Sequence, residues 1–97
     1  MASSKEYLEY VCDLLRDVEG ISTKKMMGEY LLYQSGVLFG GVYSDRFLIK
    51  NTPSLRSRGM REEIPYEGAK PMLLVDTEDS EQIAALVMDA VRDLCNK

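Results

Sequence analysis

Histidine is missing altogether from these 97 residues, and only two cysteines are present. Without histidine there is no ordinary zinc site and no serine–histidine or cysteine–histidine nucleophile pair. The commonest general base near neutral pH is gone too. Cys12 and Cys95 lie near opposite ends without a Cys-x-x-Cys spacing, and two thiols cannot close a tetrahedral metal site. They read as small buried hydrophobes of a reducing compartment. Long apolar runs are lacking as well: those at 72–75 and 83–88 fall far short of the ~18 residues that span a bilayer. The opening "MASSKEYLEY" has no apolar signal core, so the chain is expected to be cytoplasmic, with no membrane partner. Carboxylate catalysis stays open in principle, through Glu29 or Glu67 in a pocket that shifts a pKa. No spacing singles out a pair, and no catalytic residue, metal or cofactor is expected.

The composition, 45% apolar and 29% charged, is that of an ordinary globular protein. The length predicts one domain over 1–97 that buries roughly 60–65% of its unfolded surface. The net charge of −4 is unevenly spread: residues 1–23 sum to −3, 24–70 to +3 and 71–97 to −4. The middle is basic and both ends are acidic.

Tyr7, Leu8, Val11, Leu14, Leu15 and Val18 recur at helical spacing, so a helix is predicted over 4–19, with Ser3 and Glu6 as a capping box and Gly20 at its end. From 27 to 50 the period becomes two. Ser35-Gly36 and Ser44-Asp45 read as hairpin turns in a three-stranded antiparallel meander, "MGEYLLYQ", "VLFGGVY" and "RFLIK". "KKMMG" reads as a loop entering the first of these strands, with Met26 and Met27 as core fillers. Thr52-Pro53 starts a short exposed helix, Ile64-Pro65-Tyr66 suits an edge strand, and "KPMLLVD" suits a strand paired on both sides. Asp79 with Gln82 caps a last helix carrying Ile83, Val87, Val91 and Leu94. The fold class is therefore α+β: a two-layer, five-stranded antiparallel or mixed sheet with helices mainly on one face, in the order α-β-β-β-α-β-β-α.

Two-residue turns fix a register and hence two faces. Leu31, Tyr33, Leu38, Val42, Phe47 and Ile49 form the face expected to lie under the long helices. Tyr30, Leu32, Val37, Phe39, Tyr43 and Leu48, edged by Arg46 and Lys50, form the other. Left uncovered, this second face is a partner or homodimer interface, on which Phe39→Glu should give a folded monomer. Gly40 and Gly41 suggest either close approach of another backbone or room for large neighbours. Lys24, Lys25, Arg56, Arg58, Arg61 and Lys70 offer a basic contact surface, but a pI near 4.8 and acidic helices speak against direct nucleic-acid binding.

Three stretches, "KMMGEY" at 25–30, "GGVYSDRFLIK" at 40–50 and "YEGAKPMLLVD" at 66–76, resemble the N-terminal domain of the TfoX/Sxy family of bacterial competence regulators. "MASSKEYLEYV" looks like its first helix. The resemblance spans about residues 3–95 and implies a fold similar to type III secretion chaperones. It further implies a non-enzymatic role in transcription of DNA-uptake genes through protein contacts with transcription machinery or a regulator, in some bacteria alongside the cyclic-AMP receptor protein. A stand-alone domain, lacking the helical C-terminal domain of those regulators, is expected. Met27, Gly28, Gly41, Asp45, Arg46, Gly68 and Pro71 are implied to be turn and packing positions. Two rival readings remain: a direct DNA-binding accessory protein, and a small enzyme with a buried carboxylate.

Overall fold

The computed structural model describes residues 4–95; Ser3 of the expected capping box lies outside them. Helix α1 (Lys5–Leu14) starts instead at Ser4, whose hydroxyl accepts the Tyr7 amide at 3.1 Å. Four strands follow, β1 (Ile21–Met26), β2 (Glu29–Gln34), β3 (Val37–Val42) and β4 (Phe47–Ile49). Then come the short α2 (Pro53–Arg56), strands β5 (Glu62–Glu63) and β6 (Met72–Leu74), and helix α3 (Ser80–Cys95). The strands make one antiparallel six-stranded sheet in the order β1-β2-β3-β4-β6-β5. The α+β class stands, with one strand more than expected.

That extra strand is β1, the segment read as a loop. Ile21-Ser22-Thr23-Lys24-Lys25-Met26 lacks a clean apolar alternation because it is a sheet edge, exposed from Ser22 onward. Edge strands need no second apolar face, and lysines there discourage stray pairing. Met27-Gly28 closes the β1–β2 hairpin, both residues at positive φ, as do Ser35-Gly36 and Ser44-Asp45 in the next two hairpins. Such mirror-image turns match the twist of the strands they join. Met27, at the tip, is 96% exposed and Met26 is exposed too, so neither fills the core. The expected strand at Ile64-Pro65-Tyr66 forms two residues earlier, and "MLL" is indeed paired on both sides, by β4 and β5.

One bulge decides which residues face the helices. Gln34 pairs with Val37 and Tyr33 with Leu38, but Leu32 pairs with Gly40, leaving Phe39 as an extra residue in β3. Side chains alternate strictly only in an unbroken ladder, so one inserted residue reverses the faces on one side of it. Gly40 and Gly41 follow directly. A Cβ on Gly40 would lie 2.3 Å from the Leu48 carbonyl oxygen, and one on Gly41 2.5 Å from that of Tyr30. Backbone approach explains Gly40; at Gly41 the Tyr43 ring, 2.9 Å from such a Cβ, shares the space with backbone.

Leu32, Phe39, Val42, Phe47, Ile49, Leu73 and Val75 form the sheet side of the core, with Tyr30 and Val37 packed against it. From the helices, α1 brings Val11 and Leu14, the turns after it Leu15 and Val18, and α3 Ile83, Leu86, Val87, Ala90 and Val91. Burying side chains of this size is worth about 1.5–3 kcal/mol each. The short helix α2 sits on this side as well, against α3, with Leu55 in the same cluster. No described helix is long and apolar enough to cross a membrane. Cys12 is half-buried and Cys95 exposed, both free; only the first resembles the buried thiols expected. Burial, with Glu9 nearby, pushes the Cys12 thiol up, away from thiolate reactivity.

Candidate functional site: the helix-free sheet face

With every helix on one side, the opposite face carries the alternate residues: Leu31 and Tyr33 of β2, Leu38 of β3, Met72 and Leu74 of β6, all half-buried. The interface expected from sequence is thus largely on the wrong side. Tyr30, Leu32, Val37 and Phe39 pack toward the helices, with Leu32 and Phe39 fully buried. The bulge at Phe39 is the physical cause: an unbroken two-residue-turn register puts these four side chains on the free face, and the inserted residue turns them in. Tyr43 and Leu48 stay outside the helix-side core but are buried, Tyr43 at 8% exposed and Leu48 at 0%. The five half-buried residues of the free face were missed. Adjacent glycines inside a strand were the available signal, because glycine in a strand interior often marks a bulge.

The β5–β6 connection laps over one end of this face. The Tyr66 ring lies 6.1 Å from that of Tyr43, and Pro65 is buried. Burial, together with Tyr66, Glu29 and Tyr33 nearby, raises the Tyr43 hydroxyl's pKa. Arg46, expected at the rim of an interface, fastens this lap. Its guanidinium donates to the carbonyls of Tyr43, Ile64 and Pro65 and pairs with Glu63 at 3.0 Å. It is a tie within the fold, and Arg's planar fork suits several acceptors at once.

Between the lap, the free face and the segment at 50–56 runs an open groove of about 850 Å³. Leu31, Leu38 and Tyr43 form its floor; Tyr66, Ala69, Lys70, Pro71 and Met72 form one wall. Lys50, Asn51, Thr52, Pro53 and Arg56 form the other, ending at Asp93 and Leu94 of α3. Thr52 holds the N-cap position of α2 but makes no side-chain capping bond. The Asp93 carboxylate takes that role, accepting the Ser54 amide and hydroxyl, each at 2.8 Å. These two bonds, with smaller help from Arg92, hold the Asp93 carboxyl below its ordinary value.

The chain matches no protein-family model and no curated protein.

The basic residues do not form one surface. Lys24 and Lys25 lie on the exposed edge strand, on opposite faces of the sheet. Arg58 pairs with Asp89, and Arg61 with Glu63 at 2.8 Å. Lys50, Arg56 and Lys70 meet at the groove. Glu29, half-buried, accepts the Ser44 amide at 2.9 Å, and Glu67 is exposed. Neither lines the groove. Among the described residues no group of three or more Cys, Asp or Glu side chains is placed to hold a metal ion.

Proposed function

We propose that this protein is a non-enzymatic interaction module that works in the cytoplasm through protein contacts made by its helix-free sheet face. The supporting observation is that face itself, where Leu31, Tyr33, Leu38, Met72 and Leu74 are half-buried with no helix over them. Apolar side chains left partly open on a sheet face are a usual mark of an interaction site. On the three sequence motifs that resemble the TfoX/Sxy N-terminal domain, the regulated process is transcription of DNA-uptake genes, with the contact made to a regulator or to transcription machinery. A secretion-chaperone-like variant of the α+β architecture belongs to the same proposal.

Two copies joined by this face form the simplest assembly, since one patch then covers two chains. Light scattering gives a dimer mass in that case, and Leu38→Glu gives a folded monomer. The functional test is genetic. In the native cell, deletion of the gene lowers the transcripts of DNA-uptake genes; wild type restores them and Leu38→Glu does not. Full restoration by Leu38→Glu contradicts the proposal.

A further inference from the structure

Five of the arginines have a carboxylate partner: Arg16 with Asp13, Arg46 and Arg61 with Glu63, Arg58 and Arg92 with Asp89. Lys50, Arg56 and Lys70 have none among the described residues; Arg56 bonds only the side chain and carbonyl of Asn51. All three line the groove. Its single lining carboxylate, Asp93, is already engaged by Ser54. A chain of net charge −4 thus keeps a concave surface where three cations outnumber one carboxylate, with Leu31 and Leu38 in its lining. Charge complementarity at such a surface calls for an anionic occupant with apolar groups.

Accordingly, we propose that the groove binds an acidic peptide segment of a protein partner. The segment's carboxylates lie on Lys50, Arg56 and Lys70, and its aliphatic side chains on Leu31, Leu38 and Met72. This rests on the protein-contact reading above and names the chemistry of the contact. An extended segment of about six residues is ~20 Å long. A nucleic-acid strand is the poorer fit. Single-strand grooves combine a continuous basic track with aromatic rings open for stacking. Here the Tyr43 ring is buried, leaving only Tyr66, 62% exposed, beside prolines and aliphatic side chains.

The test is fluorescence anisotropy on the whole chain with a labelled heptapeptide of alternating leucine and glutamate. The same peptide with lysine for glutamate, and a short oligothymidylate, are the comparison ligands. The acidic peptide binds and the lysine peptide does not. Lys50→Glu with Lys70→Glu weakens binding about tenfold, as expected for reversing one half-buried and one exposed charge. Lys24→Glu with Lys25→Glu, outside the groove, leaves it unchanged. Tighter binding of oligothymidylate, or equal loss from both charge-reversed pairs, overturns the proposal. So does binding that Leu38→Glu abolishes but the Lys50/Lys70 pair does not touch, although an apolar protein contact then survives. Failure of every peptide, with a dimer that Leu38→Glu dissociates, likewise overturns the acidic segment and leaves the protein-contact reading in place.

Discussion

Truncating Phe39 and its neighbour Leu38 separates the two faces of the sheet in a single experiment. Phe39 is 0% exposed and among the largest fully buried side chains, set in β3 against the helices. Removing a buried phenylalanine ring costs about 3–5 kcal/mol, counting lost transfer energy and the cavity left behind. Leu38, one residue away, is half-buried on the free face, so Leu38→Ala costs about 1 kcal/mol or less. A domain of this size has ~5–15 kcal/mol in total, so Phe39→Ala folds but Phe39→Glu, which also buries a carboxylate, does not. Urea unfolding followed by circular dichroism is the assay. At a slope of about 2 kcal/mol per molar, Phe39→Ala lowers the midpoint by roughly 2 M and Leu38→Ala by under about 0.5 M. The reverse order, or a folded Phe39→Glu, refutes the face assignment and restores the register of an unbroken hairpin.

Other consequences follow from single contacts. Gly40→Ala forces a Cβ against the Leu48 carbonyl and lowers Tm by more than about 10 °C by calorimetry, overpacking against backbone costing roughly 2–3 kcal/mol; an unchanged Tm contradicts the bulge. Arg46→Ala releases three carbonyls and Glu63, costs about 1–3 kcal/mol, and speeds hydrogen exchange in β5 and residues 64–71. Arg46→Lys recovers little of it, because an ammonium cannot reach all four acceptors; full recovery would show that charge alone matters. Asp93 has a folded pKa below its ordinary 3.8, so its contribution is complete above 3.8 and is lost as pH falls through the lower folded value. The stability gap between wild type and Asp93→Asn therefore shrinks in that acid window; a constant gap shows that the Ser54 bonds do not depend on charge.

The helices, apart from the end of α1 at Leu14 instead of the expected residue 19, and three of the hairpin strands were legible in the sequence because their signals are local. Val11, Leu14 and Leu15 keep helical spacing, Asp79 accepts the Glu81 amide at the start of α3, and Ser35-Gly36 and Ser44-Asp45 are turn-forming pairs. Strand β1 was not legible: its Thr23, Lys24 and Lys25 are polar because it is an edge, and its pairing with β2 is tertiary information. The residues assigned to the free face were largely wrong. Alternation announces that a free apolar face exists, but Phe39, by bulging, hands that face to Leu31, Tyr33 and Leu38. The groove cations needed a different kind of knowledge. Lys50, Arg56 and Lys70 look no different in sequence from Arg58 and Arg61; only the placement of Asp89 and Glu63 separates paired charges from unpaired ones.

Site-specific photo-crosslinking in the native cell tests the central claim most directly. A photoreactive phenylalanine replaces Leu38 on the helix-free face or, as the control, Met88, exposed on α3. Protein adducts from position 38 and none from position 88 are the predicted result. Adducts from position 88 alone, or nucleic acid captured at position 38, would contradict it.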